Sequence, residues 1–141
     1  MWIRSYNKTF ADVKREDVWK IWVDVNNWQK SAPDLEYCKM DGSFAVNNHI
    51  ILKPQNGPEM DLTITEVAHG YKFTTCHTFF GAKMSVAHEL EEVTNGLKIR
   101  YTITLKGLLK WIWVRRCVQN FADSAPSKIE TLVNLARGKS V

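Results

Sequence analysis

Along residues 2–10 bulky side chains alternate with small or polar ones, the period of a strand with one face on a core. From Arg15 to Asn26 the period lengthens. Val18, Ile21, Trp22 and Val25 recur at helical spacing, with Glu16, Asp17, Lys20 and Asp24 on the opposite face. Glu16 and Asp17 fall near the positive end of that helix, where anions are favoured. Asn26, Asn27 and Pro33 stop it, with room for one short helical turn at Trp28 to Ser31. A run of strands follows: Leu35 to Met40; Phe44 to Leu52; Met60 to Thr65; Tyr71 to His77; Met84 to Glu91; and Leu97 to Leu105. Turns separate them at Asp41-Gly42, at Pro54 to Pro58, at Ala68-His69-Gly70, at Gly81 and at Asn95-Gly96, the last a two-residue hairpin signal. Every connection is short, so the expected sheet is an antiparallel meander.

After Gly107 the pattern stays helical. Trp111, Val114, Val118, Phe121, Ala122, Ala125, Ile129, Leu132, Val133 and Ala136 recur at steps of three and four. They fall within a stripe roughly 100° wide, as a core-facing helix requires. Pro126 removes a backbone donor and is expected to bend the helix. The stripe continues in phase beyond it, so the expectation is one bent helix, ended by Gly138. Trp113 falls off the stripe, beside Arg116 and Asn120.

These elements describe an α+β domain over residues 1–141. A curved sheet of about seven strands must bury one face, and a single long helix is what remains to cover it. Such a helix cannot pack flat everywhere on a curved sheet, and a gap between them is a natural ligand cavity.

Composition narrows the picture. Apolar residues make up 45% and charged residues 24%, which suits a folded globular chain and excludes wholesale disorder. No stretch approaches the roughly 18 apolar residues of a membrane span, and Met1 to Phe10 has no apolar secretory core. Cys38, Cys76 and Cys117 are odd in number and widely spaced, which points to neither a disulfide framework nor a zinc ribbon and makes a reducing cytoplasm the simplest setting. The net charge of +4 is too small to imply nucleic acid. Its distribution is uneven: residues 1–97 carry ten Lys/Arg against thirteen Asp/Glu, and residues 98–141 carry nine against two. The basic last third reads first as a solvated helix face. Its start, with Leu108, Leu109, Ile112, Lys110, Arg115 and Arg116, also has the composition to make a weak contact with an anionic membrane surface.

Several motifs, in order, resemble the helix-grip or Bet v 1-like superfamily, which holds START lipid-transfer domains and polyketide cyclase/dehydrase-type proteins. They are Glu16-Asp17-Val18-Trp19 with Asp24 and Trp28, then Asp41-Gly42-Ser43-Phe44, then Ala87-His88-Glu89-Leu90-Glu91, and a tail running from Ser124 to Ala136. Asn47 stands where many relatives carry Gly, and Asn tolerates unusual φ better than most residues. The resemblance covers essentially the whole chain and implies a cavity for a hydrophobic small molecule or lipid. It does not imply one reaction, because this fold serves binders, transporters, cyclases and co-chaperones.

Inward-facing Leu62, Ile64, Phe73, Thr75, His77, Val86, His88, Tyr101 and Ile103, with Val114, Val118 and Phe121 from the helix, are the expected ligand-binding set. His88 shares its side of the strand with Met84, Val86 and Leu90. An inward imidazole suits acid/base chemistry or ligand orientation, while a core histidine bonded to its neighbours is the plainer reading. A hairpin turning at Phe80-Gly81 sets Phe73 opposite His88 and His77 opposite Met84. The two histidines are then too far apart for a metal without a third ligand, so neither metal nor cofactor is expected. Gly-rich phosphate loops and nucleophile elbows are missing from the sequence. The leading expectation is binding of a hydrophobic small molecule or lipid. The competing ones are a cyclase/dehydratase using His88 and Tyr101, and a protein-interaction module with a vestigial cavity.

Overall fold

A computed structural model describes residues 1–30, 32, 34–55 and 57–138, with the backbone alone at Cys117. Seven strands form one open antiparallel sheet: β1 (Trp2–Phe10), β2 (Leu35–Lys39), β3 (His49–Pro54), β4 (Met60–Ala68), β5 (Lys72–Phe79), β6 (Ala82–Val93) and β7 (Gly96–Lys106). Their order is β1-β7-β6-β5-β4-β3-β2, a meander whose last strand is flanked by the first. Helix α1 (Arg15–Val23) and a 3₁₀ segment (Val25–Lys30) link the two edge strands. After β7 come α2 (Lys110–Trp113), a π turn (Val114–Val118), α3 (Gln119–Asp123) and α4 (Ala125–Ala136). This is the expected helix-grip α+β architecture. Ser31, expected to end a short helical turn, and Pro33, expected to help stop the first helix, lie outside the described residues.

Pairing follows the hydrophobic alternation. Phe73 faces His88 and His77 faces Met84, as a turn at Phe80-Gly81 requires. The β6–β7 hairpin differs from expectation by one residue. Val93 pairs with Gly96, so Thr94 and Asn95 form the turn and Gly96 opens β7. The glycine is needed for a close approach. A Cβ there would lie 2.0 Å from the Phe10 carbonyl oxygen at the end of β1, and φ is +143°. Gly96→Ala is therefore expected to destabilise the fold by at least about 2 kcal/mol, through strain and a displaced β1. Urea denaturation compared with Gly138→Ala separates clash from φ, because Gly138 shares a positive φ but has nothing within 4 Å.

Phe44 to Asn48 do not extend a strand. Asn47 takes φ +77°, and the Asn48 side-chain amide donates to the carbonyls of Asp41 and Ser43, so the segment closes into a loop. The loop turns Phe44 edge-on to Phe73, with centroids 5.1 Å apart.

The last helical stretch carries the second departure. A π turn holds more residues per turn than an α-helix, so the chain before it is rotated relative to the stripe after it. Trp111, expected on the buried stripe, is exposed. Trp113, expected off it, stacks on Phe79 (centroids 4.6 Å, planes 18° apart) and donates its indole N–H to the Phe80 carbonyl at 2.7 Å. From the end of the π turn the stripe keeps its phase: Val118, Ala122, Ala125, Ile129, Leu132 and Val133 are buried. The helix is reset at Ser124, and Pro126 lies in the first turn of α4, where its missing donor costs nothing.

Three apolar clusters form the core. One joins α1 and α4 to β1, β5, β6 and β7 through Trp22, Phe73, Ile99 and Ile129. A second sets Val114, Val118 and Ala122 over the Phe79, Met84 and Ile103 end of the sheet. The third packs Val25 onto β2, β3 and β4.

Candidate functional site

The three clusters do not close on one another. Between them lies a cavity of about 130 Å³, lined by Trp22, Phe73 and Leu132 of the first, Met84 and Val86 of the second, and Leu52 and Leu62 of the third. Its walls are mainly apolar. Trp28 joins them, held by an indole N–H donated to the Trp22 carbonyl at 3.0 Å. Asn26 fixes the 3₁₀ segment that carries Trp28, because its side chain exchanges two hydrogen bonds with the Met40 backbone.

Of the expected set, Leu62, Phe73, Thr75, Val86, His88, Tyr101 and Phe121 line this cavity. Ile64, Ile103, Val114 and Val118 do not: they are buried within the second and third clusters. They share the inward face with the lining residues, but the clusters close over them. His77 also lies outside. Its Nδ1 meets the Asp61 carbonyl at 3.0 Å and its ring stands edge-on to Phe79.

His88 stacks face to face on Phe73, with centroids 4.1 Å apart and planes 5° apart, and meets Trp22 and Tyr101 at their edges. Its Nδ1 is buried and, among the described residues, has no hydrogen-bond partner of full geometry. Some His88 and Tyr101 surface remains open, and both residues border the cavity. Burial drives the His88 pKa down to about 3, and the Lys128 charge adds to the effect. The Tyr101 hydroxyl is pushed up to about 12, again by burial, with a Trp22 hydrogen bond acting the other way. Both groups are therefore uncharged at neutral pH.

Two polar residues of the lining escaped the sequence reading. Lys128 of α4 borders the cavity with its ammonium 4.4 Å from the Phe121 ring centroid and 3.6 Å from an Asp34 carboxylate oxygen. Burial lowers its pKa, and Asp34 opposes the shift. The signal was present: Lys128 is three residues past Ala125 and four before Leu132, so it borders the apolar stripe, but counting it with the basic last third hid that position. Asp34 carries no such mark, because only the fold brings it to α4. Among the described residues no group of three His, Cys, Asp or Glu side chains is placed to hold a metal ion. Nor is any helix among them long and apolar enough to cross a membrane.

Neither the family models nor the curated proteins contain a match to this chain. Solved structures do match its fold. A protein of Mesorhizobium loti superposes with a TM-score of 0.76 at 14% identity, covering 99% of this chain and 100% of its own. Ara h 8.0201 gives 0.72 at 12%, covering 98% and 100%. Norcoclaurine synthase from Thalictrum flavum, solved with dopamine and hydroxybenzaldehyde, gives 0.71 at 10%, covering 99% and 90%. The structural neighbours thus include members of the Bet v 1/SRPBCC superfamily, and what the chain shares with them is the helix-grip fold.

Proposed function

We propose that this helix-grip protein binds a compact hydrophobic molecule, about the size of one substituted ring, between its sheet and its C-terminal helices. The cavity carries the proposal. Its volume of about 130 Å³ is close to that of engineered apolar cavities that take up benzene, and well below what a whole lipid fills. Aromatic walls supply affinity, and one polar side supplies orientation. There the His88 imidazole borders the cavity and offers a ring nitrogen to a hydroxyl or carbonyl group of the ligand. That the neighbour from Thalictrum flavum was solved with aromatic compounds agrees with such a use of the fold.

Acid–base catalysis is the weaker reading. A catalytic imidazole works best with a pKa near the operating pH, and burial holds His88 far below neutrality. Turnover that vanished in a folded His88→Gln variant would reverse this order.

Native mass spectrometry of protein purified from its own host, looking for a retained ligand, is the first test. Titration with toluene, p-cresol and dodecanoate, followed by ligand-observed NMR, is the second. Toluene and p-cresol are expected to bind saturably. Val86→Phe and Leu62→Phe, each placing a ring into the cavity, are expected to weaken both at least tenfold. His88→Gln is expected to weaken p-cresol by about twofold to tenfold, the worth of one neutral hydrogen bond, and to leave toluene unchanged. Preference for dodecanoate would favour a lipid ligand. Binding indifferent to both filling variants would sink the cavity proposal.

A further inference from the structure

Large apolar side chains stand exposed at eight positions among the described residues, and four of them, Phe80, Leu108, Trp111 and Ile112, belong to one end of the molecule. Phe80 is 83% exposed at the tip of the β5–β6 turn, and Leu108 is 96% exposed in the loop after β7. The backbone brings the two loops together. The Leu109 amide donates to the Gly81 carbonyl at 3.0 Å, and the Trp113 indole donates to the Phe80 carbonyl at 2.7 Å. A Cβ on Gly107 would lie 2.4 Å from the Gly81 oxygen, so the loops meet backbone to backbone. The apolar tips are thus held on a fixed platform.

The charges on the two segments that carry them have one sign, with Asp61 of β4 bordering the same surface hollow as Lys83. Residues 77–88 contain Lys83 and no acid; residues 106–122 contain Lys106, Lys110, Arg115 and Arg116 and no acid. Lys83, Lys106, Arg115 and Arg116 are exposed, and Lys110 lies with its ammonium 5.8 Å from the Trp111 ring centroid. Arg115 and Arg116 follow Trp111 and Ile112 by one helical turn, so exposed apolar and cationic side chains share a face. Single exposed apolar residues need no explanation, but a rigid cluster of four set among five cations does. A protein partner with a matching hollow would be met by apolar shape alone. A lipid surface offers acyl chains to tips that protrude, and phosphates to the cations beside them.

We propose that this end of the molecule docks on an anionic lipid surface, with Phe80, Leu108, Trp111 and Ile112 inserted among the headgroups and Lys83, Lys106, Lys110, Arg115 and Arg116 against the phosphates. The docking does not depend on what the cavity holds.

Sedimentation with vesicles tests it. The full chain is expected to bind vesicles of equal parts phosphatidylglycerol and phosphatidylcholine, to bind phosphatidylcholine alone much less, and to release as salt is raised to ~0.5 M. Neutralising Lys110, Arg115 and Arg116 to Gln together is expected to weaken binding on the order of a hundredfold, about fivefold per cation. Leu108→Ser and Phe80→Ser are each expected to weaken it at least about tenfold, with unchanged thermal melting because both side chains are exposed. Absence of binding to anionic vesicles overturns the proposal. So does binding insensitive to Leu108→Ser and Phe80→Ser, which would be plain adsorption of a basic surface. A dimer in sedimentation equilibrium that Leu108→Ser dissociates would assign the patch to a second copy of the chain instead.

Discussion

Replacing Trp22 by Ala is expected to lower the unfolding free energy by about 3–5 kcal/mol, the usual loss for a large aromatic side chain in a core. Trp22 is 4% exposed and joins α1 to the sheet. Its ring meets Phe73 at 5.3 Å, His88 at 5.7 Å and Tyr101 at 6.2 Å, each a centroid distance. Its removal opens one wall of the cavity to the first cluster. Trp113→Ala is expected to cost less, about 1–3 kcal/mol, through the lost stack on Phe79 and the lost hydrogen bond to Phe80. Urea denaturation of both variants decides. Equal losses would show that Trp22 is not the keystone its burial implies.

The second large effect is on pH. Unfolded, His88 titrates near the ordinary histidine value of 6.5; folded, burial lowers that to about 3. Between the two values the unfolded chain holds a proton that the folded imidazole refuses. The unfolded state thus binds more protons, and stability falls as pH falls through that window. Above the unfolded value this group contributes no slope. From pH 7 to pH 4.5 the loss traceable to His88 is expected to be about 2 kcal/mol. Denaturation of wild type and His88→Gln at the two pH values isolates it: the variant should lose distinctly less. Parallel losses would mean that the imidazole is not shielded from water as its stack on Phe73 implies.

Most of the sheet was legible because its signals are local. Gly81 sets the β5–β6 turn, and strict alternation then fixes His88 opposite Phe73 without knowledge of the rest of the fold. The loop at Phe44 to Asn48 was misread for a related reason. Phe44, Val46 and Asn48 alternate like a strand, but the positive φ of Asn47 and the side-chain hydrogen bonds of Asn48 outweigh three residues of alternation. The exchange of Trp111 for Trp113 follows from the π turn, which spacing counted at 3.6 residues per turn cannot show. At the site, inward direction was readable and depth was not. Val86 lines the cavity while Ile103, its pairing partner on β7, is buried within the second cluster. Which inward residues border a void depends on how three clusters meet, and no segment of the chain encodes that alone.

The place of β1 sets a constraint on how the chain is made. Trp2 pairs with Leu105 and Phe10 with Leu97, so β1 has its partners among residues made about a hundred positions later. Strands β2 to β7 can zip up as successive hairpins while the ribosome is still at work, each closing a short loop. The leading strand must wait outside, and its closure carries the largest entropic cost in the sheet. Its sequence suits the delay. Arg4, Ser5, Asn7 and Lys8 keep the waiting strand polar and partly charged, which discourages pairing with another nascent chain. When β7 emerges, the Gly96 backbone admits the carbonyl of Phe10, and Arg4 and Lys8 reach Asp123 and Glu130 on the last helices. The first strand of the sheet is thus the clasp that completes it.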